Sequence, residues 1–304
     1  MHVLEPNNFD YSQIISSIPE DAAPAWSASE SYAKEDKVRV GMYLYSSLQD
    51  SNSGHEPPSS LSGLDAYWRR LGPTNRGAMF DEHLYTQTVA PEGTTQFSVS
   101  VPWPRGTSAF AILNISETSV IHAVVKSLDG TILWDNTYDL LEGVDNWWDY
   151  YAGFWDYRSE FIEESSTPLI SGTLTVTFTG GNPSIGHMIV GSTWEPGATL
   201  YDVTAEIKDY SVYNTDEFGN LTVIQRNFVK TFSGTLYLHP ARADATFRKF
   251  IQSRAKLCLW IGDNRTTNEG GHEALNCLGY FKSAPLVFSG PNECRYNLKI
   301  EGII

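Results

Sequence analysis

The stretch that decides the fold runs from Ser184 to Lys230, SIGHMIVGSTWEPGATLYDVTAEIKDYSVYNTDEFGNLTVIQRNFVK. Gly186–Gly191 has the look of a buried strand closed by a glycine. A turn is predicted at Glu195-Pro196-Gly197, where proline presets one dihedral and glycine permits the next. Two alternating segments follow, Tyr201–Lys208 and Leu221–Lys230. Between them Asp209–Asn220 is rich in turn formers and reads as a loop. Everything before this joint can form one β-domain and everything after it a second, smaller one.

Upstream, strand candidates recur at Thr95–Val101, Ala109–Ile115, Val120–Ser127, Thr131–Tyr138, Leu174–Thr179 and His187–Gly191, with Gly and Pro between them. Asp129-Gly130 between two alternating runs predicts a tight, type I′-like hairpin. Short strands at this spacing favour an antiparallel, jelly-roll-like β-sandwich. Residues 1–63 read as an N-terminal arm and linker: Lys37–Tyr45 alternates as a single strand expected to join another sheet, even a neighbour's, and Asp50–Gly63 has linker composition. Downstream, His239–Lys256 predicts one helix with Pro240 in its first turn and Phe247, Phe250, Ile251 and Arg254 on one stripe. Strands are expected at Leu257–Ile261, Ala274–Phe281, Leu286–Phe288 and Arg295–Ile304. The expectation is therefore mainly β: an arm over 1–63, a carbohydrate-binding-like sandwich over 64–199 and an α+β docking domain with one helix over 200–304.

Composition bounds the function. The 304 residues carry 41% hydrophobic and 13% aromatic side chains and a net charge of −15. Residues 1–199 hold 9 Lys/Arg against 25 Asp/Glu, whereas residues 200–304 hold 12 against 11. The acidic first part disfavours nucleic acid or any other polyanion. A near-neutral second part suits burial against other subunits. No apolar run approaches the roughly 18 residues of a membrane helix, and Met1–Asn8 lacks the features of a signal peptide. Assembly in a cytoplasm without membrane insertion is expected. Cys258, Cys277 and Cys294, odd in number and without CxxC spacing, read as buried hydrophobes in strands.

One family resemblance spans roughly residues 65 to 304. Ile189–Gly191, Ile207 with Asp209-Tyr210-Ser211, Asp216 with Gly219-Asn220, and Arg226 with Lys230 stand in an order similar to that in tail baseplate or tail-tip proteins of tailed bacteriophages. Leu259-Trp260-Ile261-Gly262, Gly279–Lys282 and the closing Leu298–Ile304 are similar as well. The resemblance implies a virion structural protein with a carbohydrate-binding-like domain, not an enzyme. Other tail proteins and copies of itself would be its partners. On that reading Asp209, Tyr210, Asp216, Asn220 and Arg226 belong to an assembly interface. A tryptophan near residue 147 looks structural in that family, so Trp147 or Trp148 is expected in the core.

Two constellations bear on chemistry. In Asn146–Arg158 seven of the eleven residues from Trp147 to Tyr157 are aromatic. Sugar rings lay a C–H face on such rings while carboxylates hold hydroxyl pairs. Tyr150, Tyr151, Trp155 and Tyr157 with Asp149 and Asp156 are thus the candidate contacts to host surface polysaccharide; core plugs or a protein-binding patch are the competing uses. The carboxylates Asp145, Asp149, Asp156, Glu160, Glu163 and Glu164 could supply the acid and base of a glycosidase or a structural calcium, but read first as a solvated acidic loop. No resident cofactor is expected, and no HExxH, P-loop, GxSxG or GxGxxG motif is present. A free-standing carbohydrate-binding module, or an accessory domain of a glycoside hydrolase, is the alternative to a tail subunit.

Overall fold

The computed structural model describes residues 1–59, 66–142, 147–152, 156–164, 170–263, 272–291 and 293–304. The fold is mainly β, with antiparallel sheets and a small helical part. In chain order its principal strands begin with β1 (His2–Pro6), β2 (Gln96–Trp103), β3 (Ala109–Ser127) and β4 (Ile132–Asp139). The short helix α1 (Trp147–Ala152) precedes β5 (Glu160–Glu164) and β6 (Gly172–Trp194). Then come β7 (Thr204–Asp209), β8 (Val212–Thr215), β9 (Leu221–Ile224) and β10 (Phe228–Leu238). Helix α2 (Ala243–Gln252) leads to β11 (Cys258–Ile261), β12 (Asn276–Ser283), β13 (Leu286–Gly290) and β14 (Glu293–Gly302). Among the described residues no helix is long and apolar enough to cross a membrane.

The largest sheet runs β4-β3-β6-β1-β11-β12-β14-β10, with β2 and β5 added at one end and β7 and β13 at the other. Its spine is the pairing of β3 with β6, two long strands where sequence spacing predicts four short ones. The pairing is continuous apart from bulges between Ser116 and Val120. Asn114 and Glu117 adopt left-handed φ there, and a Cβ on Gly180 would lie 1.9 Å from the Glu117 carbonyl oxygen. Bulges bend strands and let one strand serve two layers. Both arms of the bent pair consequently face one core: Phe110, Ile112, Val176 and Phe178 meet Val99, Val101 and Trp103 of β2, all buried.

Several expectations need correction. Lys37–Tyr45 is a hairpin of Lys37–Val40 with Tyr43–Ser47, because Gly41 takes a left-handed φ of 57° and reverses the chain. It pairs with Trp68–Pro73 of this chain. As far as Ser59 the linker-like stretch is anchored, since Asn52 is buried and the Trp68 indole N–H donates to the His55 carbonyl at 2.8 Å; residues 60–63 of it lie outside the described residues. At Asp129-Gly130 only the glycine is left-handed. Its N–H donates to Ser127 while the Ser127 N–H donates to Thr131, a type I turn with a bulged glycine in place of type I′. Helix α2 is shorter than predicted and preceded by a 3-10 turn at Pro240–Arg242. It buries Ala243, Thr246 and Phe250 and leaves Phe247 and Ile251 half in solvent. All three cysteines are buried and free, and burial pushes the Cys258 and Cys277 thiols up to about 12.

The first residues hold the two halves together. β1 lies between β6 and β11, with Val3 opposite Trp194 on one side and Trp260 on the other. Alternation sends Val3 into the C-terminal core with Trp260 and Tyr296. Leu4 goes to the other face, where it meets Ala111 and Leu113 of β3 and Leu259 of β11. β1 can approach β6 only because residue 191 is glycine: a Cβ there would stand 1.9 Å from the Glu5 carbonyl oxygen. Leu4→Ala should therefore lower unfolding stability by about 2–5 kcal/mol, measured by chemical denaturation. A loss under 1 kcal/mol, against an expected core cost of at least about 2, would contradict the seam position.

Candidate functional site

The site expected at the joint becomes a projecting arm. Among the described residues β7 pairs only with β10, and β8 and β9 pair only with each other. From Thr204 to Asn227 every residue is exposed except half-buried Ser211 and Val212. The loop expected over Asp209–Asn220 thus holds the last residue of β7, all of β8 and the turn that leads into β9. Alternating polar and apolar residues made these strands, but among the described residues no layer covers either face.

Two carboxylates set its shape. Asp209 Oδ1 accepts from the Ser211 N–H at 2.9 Å and from its hydroxyl at 2.7 Å, and Tyr213 donates to Oδ2 at 3.3 Å. Asp216 Oδ1 accepts from the N–H groups of Phe218 and Asn220, and Oδ2 accepts from the Asn220 amide at 2.7 Å. These bonds stabilise the ionised forms and hold both carboxyls below the usual range, the Ser211 and Asn220 side chains first. Gly219, at φ 83°, completes the tip. Tyr210 lies under the Lys208 ammonium, 5.3 Å from its ring centre, and the Arg226 N–H donates to the Ser211 hydroxyl at 3.0 Å. Of the five residues singled out, Asp209, Tyr210 and Arg226 gather at the base, and Asp216 with Asn220 forms the tip.

Reading the sequence missed the apolar surface between them. Cross-strand register puts Tyr213 opposite Val223 and Thr215 opposite Leu221 on one face. That face continues into a concavity of about 380 Å³ at the base, lined by Ile207, Tyr213, Val223 and Phe228 with Asp209 and Arg226. Phe218 is 89% exposed at the tip. The available signal was alternation in two very short strands, which by itself does not say what lies on either side.

The aromatic segment gives a second surface. Trp147 or Trp148 was expected in the core, but they are 76% and 77% exposed on α1, a correction that follows from their place in a short surface helix. Trp147 stacks on Tyr151, one turn on, at 5.9 Å between ring centres. Tyr151 and Tyr157 are both exposed. The side chains of Asp149, Tyr150 and Asp156, and residues Asp145 and Trp155, lie outside what the structure describes.

The remaining carboxylates do not converge. On β5, Glu160 and Glu164 face one way and Glu163 the other. Glu164 accepts a 2.6 Å hydrogen bond from His2 if that ring nitrogen is protonated, whereas Glu163 lies near Tyr138, its carboxyl raised by burial. Glu160, read from sequence as part of a solvated acidic loop, is buried. Burial raises its pKa while the charge of Lys230, in direct contact, opposes the shift. The Glu273 carboxylate accepts from the Ser159 hydroxyl at 3.0 Å and the Glu160 N–H at 3.2 Å. This cluster ties β5 of one half to β10 and the 273–275 turn of the other. The adjoining cavity, about 80 Å³, can take water but is far below the roughly 300 Å³ of a small ligand pocket. Its geometry makes it a seam lock. Among the described residues no group of three or more His, Cys, Asp or Glu side chains could hold a metal.

Comparison with known proteins adds no name to this geometry: no family model matches the chain, and no curated protein matches it.

The seam lock has a measurable consequence. Lys230→Met strands a buried carboxylate and should cost about 3–5 kcal/mol. Adding Glu160→Met should recover most of that loss in urea denaturation. Equal stability of Lys230→Met and the parent would show that Glu160 is not confined as described.

Proposed function

We propose that this chain is a structural subunit of a tailed-bacteriophage baseplate or tail tip, anchored to its neighbours by the arm of β7, β8 and β9. The observation that carries the reading is the arm: an ordered β-ribbon with apolar side chains on uncovered faces, built on a body whose halves share strands and the ion pair of Lys230 with buried Glu160. Two-stranded ribbons are marginal alone, and apolar patches on soluble proteins mark interaction surfaces. The ordered motifs that resemble tail proteins lie across the same region, which supports the choice of particle. The near-neutral charge of residues 200–304 suits burial in an assembly, and the strongly acidic first part suits exposure.

The expected outcome is concrete. With residues 212–224 replaced by a short Gly-Ser turn, the protein should stay folded, with a melting temperature close to the parent's, yet be lost from gradient-purified virions detected by antibody. Absence of the parent chain from virions, or full incorporation of the shortened one, would sink the reading.

The exposed aromatic rings of α1 support a further contact within the same function. Trp147, Trp148 and Tyr151 offer ring faces to solvent, and such rings suit the C–H faces of host surface glycans. Trp148→Ala should weaken binding of the purified protein to isolated host polysaccharide by about tenfold, a loss in the ~1–2 kcal/mol range of one ring contact. Unchanged binding would remove the helix from the glycan site.

A further inference from the structure

The arm carries a knob at one end and a socket at the other. The knob is Phe218, almost fully exposed, with Glu217 beside it. The backbone that carries it is fixed, since the carboxylate of Asp216 holds the N–H groups of Phe218 and Asn220 and Gly219 adopts the left-handed turn. The socket is the base concavity walled by Ile207, Tyr213, Val223 and Phe228. Its Tyr213 wall is also fixed, through the phenol bond to Asp209. Charges match as well. Asp209 stays ionised, with its oxygens taken up by Ser211 and Tyr213, and Arg226 is the cation at the socket rim; neither Arg226 nor Glu217 has an ion pair among the described residues.

From this we infer that the partner of the arm is a second copy of this chain: Phe218 of one copy enters the Ile207–Tyr213–Val223–Phe228 socket of the next, and Glu217 pairs with Arg226. The inference rests on the arm being the assembly element, and names what it assembles with. A knob does not fill its own socket: Phe218 is almost fully exposed, and the three-residue rise from Tyr213 to Asp216 sets the tip about 10 Å beyond the socket wall. The contact is consequently heterologous, head to tail, and each copy still offers one free knob and one free socket. Such contacts close into rings or run on as filaments.

The area sets the strength. Phe218 is 89% exposed, and Ile207, Tyr213 and Val223 are each more than half exposed. With an aromatic side chain burying roughly 150–250 Å², the contact covers on the order of 600 Å², below the ~1,200 Å² of a stable standard interface. One contact is weak. A closed ring, in which every copy is held twice, converts weak contacts into a lasting one through effective concentration.

Disulfide trapping tests this on the full-length protein. Phe218→Cys and Val223→Cys proteins are prepared separately, mixed at high concentration and mildly oxidised. The native cysteines stay silent because all three are buried. The mixture should give a cross-linked dimer on non-reducing gels at least about tenfold above either variant alone. That excess is what a contact pairing knob with socket requires, because each variant alone places no thiol opposite another. Glu217→Lys should lower the yield about 2- to 5-fold, the scale of an exposed ion pair, and combining it with Arg226→Glu should restore it. A mixed yield no greater than that of the separate variants overturns the self-contact, as does a double charge swap that fails to recover. If trapping fails while the shortened ribbon is still excluded from virions, the arm docks on a different protein. If trapping succeeds while the shortened chain enters virions normally, the self-contact holds and the tail reading falls.

Discussion

Everything in this fold depends on a five-residue strand sitting between partners almost two hundred and more than two hundred and fifty residues away. β1 completes backbone ladders on both its sides and divides its side chains between two cores, Val3 into one and Leu4 into the seam. Without it, β6 and β11 would each present an unpaired buried edge, whose orphaned backbone groups water could not reach. Gly191 shows how tight the fit is, for any side chain there meets the Glu5 backbone. Contacts of such sequence separation form late and slowly. The body therefore becomes rigid only when the first residues dock.

Rigidity in the body gives the arm its meaning. A ribbon on a loosely joined pair of domains would sample many orientations and lose entropy on docking. Here β7 is hydrogen-bonded along β10, β10 is tied through Lys230 to Glu160 of the other half, and Tyr85 donates to the Phe228 carbonyl at 3.1 Å. The base of the arm is thus braced from both halves. Its shape is then set by short local bonds to Asp209 and Asp216, which need no partner.

What could be read from the sequence follows from which interactions are local. Alternation over Gln96–Trp103 and Ile132–Asp139 is a property of the strands themselves, so these elements were legible nearly to their ends. Asn114 and Glu117 adopt left-handed φ without being glycine, so a continuous strand looked like two. On α2 three- and four-residue spacing suggested Phe247 and Ile251 as core, yet the packed stripe runs through Ala243, Thr246 and Phe250. Small residues let the helix sit close to the sheet, and periodicity weighs only hydrophobicity. The arm residues Asp209, Tyr210, Asp216, Asn220 and Arg226 were legible as a turn-rich unit. The socket was not, since Ile207 and Phe228 meet Tyr213 and Val223 only through strand pairing. The expectation that Trp147 or Trp148 is core came from the family resemblance, which carries no information on local cover; tertiary structure decides whether anything covers a ring, and here both are exposed.

The treatment of strand edges distinguishes the arm from the rest of the surface. Exposed edges invite unwanted pairing, and proteins guard them with charge or irregularity. The edge strand β4 carries Asp135 and Asp139 and a 2.8 Å contact between Asp135 and His122, and the outlying β13 pairs with β14 through a register shift. Those edges are defended. β8 and β9 bear no charged residue, keep regular pairing and set Tyr213, Leu221 and Val223 on a bare face. A chain that guards the edges at β4 and β13 and leaves this one open has two physically consistent options: tolerate an aggregation-prone ribbon, or bury it in an assembly. The fixed tip, braced base and matched socket are features that aggregation does not require and that a specific contact does.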